Sequence, residues 1–143
     1  MSLSLWMLIG FASWTLVVLA AGVGVRRWSL IITGRSRLTD FPGDTAHGSP
    51  AYRRAMRAHA NCVENLPVFA SIVLVATVAH LDSPVIGLLA ALTLSARILQ
   101  TAVHALLAET DRTIAARFVF FLLQALAMFA MAIDLMIAAM HAG

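Results

Sequence analysis

The sequence predicts an all-α integral membrane protein, a bundle of four spanning helices. Two observations carry that class: 61% of its 143 residues are hydrophobic with a mean hydropathy of +0.88, and only 12% are charged. An ordinary soluble domain is about half apolar and about a quarter charged. A third is the spacing of the polar breaks, which divide the chain into four apolar runs of about 20 residues or more, each long enough to cross a bilayer. The expected spans are 3–25, 53–79, 84–107 and 114–140, within a single domain over 1–143.

The first run, Leu3 to Val25, is followed at once by Arg26 and Arg27. A signal peptide carries its charge ahead of a shorter core, so this run reads as a retained span with Trp6 and Trp28 near its ends. From Arg26 to Ala51 the chain turns polar, and Phe41-Pro42-Gly43-Asp44 and His47-Gly48-Ser49-Pro50 read as an ordered loop. Helix resumes near Pro50, a residue tolerated in a first turn. The second span contains Pro67 and is expected to kink there. His80-Leu81-Asp82-Ser83-Pro84 is a short turn, so spans two and three run antiparallel. Ala108 to Arg112 is the next connection.

All ten basic residues are arginine, and the net charge is +3. A basic soluble protein would suggest nucleic acid, but here the arginines crowd into segments that flank spans, where orientation and anionic headgroups account for them. Nucleic acid is therefore not an expected partner, and membrane lipid is. Seven arginines lie between Arg26 and Arg57 and two more, Arg112 and Arg117, lie on the same side. The other side has none. Both termini are expected to face away from the cytoplasm.

Polar residues continue into the apolar runs. Arg53, Arg57, Asn61 and Glu64 follow at spacings of four, four and three, so they share one face of a helix. Arg97, Gln100 and His104 do the same on the third span. A guanidinium at mid-span needs a carboxylate, and Glu64 is the expected partner of Arg97. His59 and His104 can act as ligands, bases or satisfied polar groups. No set of His, Cys or carboxylates converges by spacing, so no metal is expected. The single cysteine, Cys62, excludes an internal disulfide and reads as a small buried hydrophobe. His47, His80 and His141 are expected to be solvated, and Asp134 to meet interfacial water. Met128, Met131, Met136 and Met140 read as packing and lipid-facing surface. Polar faces on alanine- and leucine-rich helices also suggest contact between subunits.

The segments Ile31-Ile32-Thr33-Gly34-Arg35-Ser36-Arg37-Leu38 and Arg57-Ala58-His59-Ala60-Asn61-Cys62-Val63-Glu64-Asn65-Leu66-Pro67, with Arg97, His104 and Arg117, resemble the MAPEG superfamily. These are membrane-associated proteins of eicosanoid and glutathione metabolism, and the resemblance spans nearly the whole chain. It implies a four-helix protomer in a homotrimer, with glutathione as co-substrate between subunits at the cytoplasmic side and a lipophilic small molecule as second substrate. In bacteria the setting is the inner membrane. By matching position, Arg37, Arg57, His59, Asn61, Glu64, Arg97 and His104 bind the tripeptide, with Glu64 on its amino group, and Arg117 stabilises its thiolate. The implied activity is that of a glutathione transferase or peroxidase; the alternative is a non-catalytic lipid-binding or scaffolding member. Ala60, Gln100, His104 and Phe118 depart from the residues of prostaglandin E synthase or other members, which argues against prostaglandin synthesis.

Overall fold

The computed structural model describes residues 1–42 and 47–142, and all regular structure among them is helical. Four helices are long and apolar enough to cross a membrane: Leu3–Ile32, Pro50–Val78, Pro84–Leu106 and Asp111–Ala142. Three of them outlast the expected apolar run at one end or both, while Pro84–Leu106 ends one residue short of it, because local caps rather than hydrophobicity set where helix stops. The second span starts at Pro50 because the Ser49 hydroxyl accepts from the Tyr52 amide at 3.3 Å. The fourth starts at Asp111 because Thr110 and Thr113 exchange bonds, each amide donating to the other's hydroxyl at 2.9 and 3.2 Å. The first span ends at Ile32 in a reversal where Gly34 has φ +67° and the Arg35 amide reaches back to the Leu30 carbonyl at 2.9 Å. The second ends the same way at His80, whose φ is +56°.

The first span is not uniformly α-helical. Val18–Gly24 forms a π-helix between the α-helical segments Leu3–Val17 and Val25–Ile32. Within it Gly22 lies so close to the second span that a Cβ there would stand 3.3 Å from that of Ala55. The second span runs through Pro67 as one helix, and the Ser71 hydroxyl donates to the Pro67 carbonyl at 2.8 Å.

The third span is the hub. It packs on each of the other three, most extensively on the fourth, whereas the first and fourth spans barely meet. Phe11, Cys62, Phe69, Val73, Ile86, Ala90 and Met131 form the core, with the Phe11 and Phe69 rings 5.4 Å apart. Met136 and Met140 are exposed, as a lipid-facing surface requires.

Two solvation expectations are corrected. His47 packs edge-on against Phe41 and Tyr52, at 5.8 and 5.4 Å, because Tyr52 anchors a clasp. Arg26 lies over the Tyr52 ring at 5.5 Å, and Arg27 donates to its hydroxyl and covers Phe41 at 5.5 Å. Asp134 accepts from Ser83 at 3.1 Å and so ties the fourth span to the start of the third. Nearby, buried Ser4 donates to Asp82 at 2.9 Å. The loop reading at Gly43 and Asp44 lies outside the described residues.

Candidate functional site

The second and fourth spans make few contacts with each other, and the third forms the floor of the cleft between them. Arg57, Asn61, Glu64 and Asn65 form one wall of a cavity of about 430 Å³. Gln100 and His104 rise from the floor, and Ile114, Arg117, Phe118 and Phe121 form the opposite wall. The i, i+3 and i+4 spacings place each group on one helix face. Ser49 and Thr110 fix where those helices begin, and therefore how high each group stands.

The floor is hydrogen-bonded in series. Gln124 donates to the Gln100 side-chain oxygen at 3.0 Å, and Gln100 donates to the Arg117 carbonyl at 3.0 Å. That chain holds the fourth span against the third at the level of Arg117. The Arg117 Nη1 is 3.4 Å from both ring nitrogens of His104 and 3.6 Å from Glu109 Oε1. Equal distances mean the contact is shared by the ring rather than aligned on one lone pair. A second cavity of about 250 Å³, lined by Pro50, Arg53, Arg54, Arg57, His104 and Glu109, adjoins the first and shares its last three residues.

Arg57, Asn61, Glu64, His104 and Arg117, all singled out in the sequence, line one cavity. Three others lie elsewhere. Arg37 is exposed on the first connection, its amide bonded to Asp40 at 2.7 Å. His59 is half-buried, lines neither cavity, and has a buried Nδ1 without a hydrogen-bond partner.

Arg97 is buried in the core, 1% exposed, with its guanidinium 5.6 Å from the centre of the Phe11 ring. The expected pair with Glu64 does not form. Arg97 shares a face with Gln100 and His104, but seven residues of helix place it about 10 Å from His104 along the axis. There it turns toward the first span, while Glu64 is exposed in the cleft. Its Nε and Nη2 find no hydrogen-bond acceptor. Cys62 is fully buried, as its small apolar character predicts.

Glu109 was missed. A count of arginines by connection weighs cations and disregards acids, so it passed over the carboxylate eight residues ahead of Arg117. Among the described residues no three His, Cys, Asp or Glu side chains converge closely enough to hold a metal ion.

Four helices long and apolar enough to cross a membrane match the four-helix protomer that the resemblance implies. A family model described as the MAPEG family matches residues 4–137, nearly the whole chain. The chain belongs to the MAPEG family. No curated protein and no solved structure matches it significantly. As a MAPEG protein it is a multi-pass membrane protein of a glutathione-associated family.

Proposed function

We propose that this MAPEG protein is a glutathione transferase or peroxidase that activates a thiol in the cleft for attack on a lipophilic electrophile. The reading is carried by the two unlike walls of that cleft, one polar and one mainly apolar, with Arg117 standing on the second. The second span presents Arg57, Asn61 and Glu64, and the fourth presents Ile114, Phe118 and Phe121, which are exposed where lipid would lie. In this reading Arg57 pairs with a carboxylate of the tripeptide, Glu64 with its ammonium group, and Asn61 with its amides. A free thiol has a pKa of about 8.5, and the Arg117 guanidinium favours the thiolate that attacks. The apolar wall admits the electrophile from the bilayer.

Glu64 and Arg57 are both exposed on a spanning helix. Charges so placed are costly against lipid, which supports a homotrimer in which a neighbouring copy covers them. The arginine count supports a cytoplasmic position for this end, in a bacterial inner membrane, with both termini on the far side.

The purified protein is expected to develop thiolate absorbance on adding glutathione and to turn over a chloronitrobenzene acceptor or a lipid hydroperoxide. Absence of both signals rejects the reading. One observation favours a non-catalytic lipid-binding member instead: Gln100 is held by Gln124 and the Arg117 carbonyl, and His104 packs on Arg117, so neither is free for a ligand. That alternative requires lipid binding without any thermal stabilisation by glutathione.

A further inference from the structure

Glu109 stands where the two cavities meet and lines both. Among the described residues lining the smaller one it is the only carboxylate, facing Arg53, Arg54 and Arg57. From the same position its Oε1 reaches Arg117 Nη1 at 3.6 Å. The partners differ in freedom: the Arg117 side chain is 15% exposed and that of Glu109 is 60% exposed. Glu109 also precedes the Thr110–Thr113 exchange that starts the fourth helix, so it can swing out without unwinding that helix. An ion pair with one well-hydrated partner is weak and easily exchanged.

We infer that Glu109 is a displaceable internal anion: its carboxylate holds the Arg117 guanidinium until an incoming anionic group takes its place, which opens the cleft into the arginine-lined cavity. The inference rests on the proposed role of Arg117 as the thiolate-stabilising group. While seated, Glu109 offsets positive charge that would otherwise stand alone beside the apolar wall. It also sets a selection rule, because a neutral molecule has no means of taking the guanidinium from it. Glu109 is thus a positioning residue that tunes anion affinity.

Glu109→Gln, Arg117→Ala and the double variant of the full chain in detergent would be titrated with inorganic phosphate and, separately, with glutathione, by calorimetry and thermal shift. Glu109→Gln is expected to tighten both ligands about two- to fivefold, the size of a partly exposed ion pair. In the Arg117→Ala background the same change is expected to gain nothing, and Glu109→Asp, which keeps the charge but shortens its reach, is expected to fall between. Unchanged or weaker binding in Glu109→Gln overturns the inference. So does an equal gain without Arg117, which would make the effect one of overall charge. If phosphate shows the gain and glutathione binds no variant, the proposed function fails and the role of Glu109 stands. If glutathione binds and turns over but Glu109→Gln gains for neither ligand, only the role of Glu109 fails. Binding of neither anion to any variant overturns both.

Discussion

At the end of the bundle where the chain begins, Ser4 donates to Asp82 at 2.9 Å and Ser83 donates to Asp134 at 3.1 Å. At the opposite end, among the described residues, Arg53, Arg54, Arg57 and Arg117 face only Glu64 and Glu109 across the two cavities. Space does not distinguish the ends, since a cavity of about 430 Å³ lies beside Asp82 and Ser83 as well. Balance does. Where each carboxylate meets a hydroxyl donor, polar groups act as a joint between helices. Where cations exceed the acids within reach, the surplus is available to a ligand.

The largest expected effect breaks the open end. Arg117→Ala is expected to lower kcat about 100- to 1000-fold, the usual loss when one preorganised group opposite a developing or reacting anion is removed. Glutathione affinity should change much less, and comparing kcat with a directly measured Kd checks it. Glu64→Gln takes one charge from a charge-assisted hydrogen bond, so glutathione binding should weaken by about 1.5–3 kcal/mol, read by calorimetry. Arg97→Met separates the core guanidinium from those of the cleft. It removes two unsatisfied buried donors and fills the space with apolar atoms, so thermal denaturation in detergent should show a gain of about 1–3 kcal/mol with glutathione affinity unchanged.

The closed end should answer only in stability. Asp82→Ala deprives buried Ser4 of its carboxylate acceptor, an expected loss of about 1–2 kcal/mol with turnover unaltered. The smallest effect is at the neighbouring turn. His80 holds a positive φ, and His80→Gly relieves a left-handed conformation for a gain of about 1 kcal/mol on the same denaturation curve. Loss of turnover in Asp82→Ala, or loss of glutathione binding in Arg97→Met, would erase the distinction between joint and site.

Much of this was legible in the sequence because apolar runs bounded by arginine, proline and glycine are direct statements about lipid. The face carrying Arg57, Asn61 and Glu64 was legible for a similar reason: helical spacing is local. What spacing cannot give is the partner across a cleft. Arg97 shares its face with His104, yet packs on Phe11 from another helix, and nothing near Arg97 in the chain announces Phe11. Asp134 finds Ser83 across 51 residues for the same reason. The π-helix was invisible because Val18–Gly24 has the composition of any span. Glu109 lay in an exposed connection, where an acid ordinarily signals solvation alone.

A π-helical turn is an α-helix with a surplus residue inserted. Were Val18–Gly24 to wind as ordinary α-helix with no residue removed, everything after it would turn by about 100° around the axis. Arg26 and Arg27 would then swing away from Tyr52, and the aromatic clasp over the start of the second span would come undone. The azimuth of the membrane-surface loop is therefore set some distance away, inside the bilayer, by how tightly a few valines and glycines are wound.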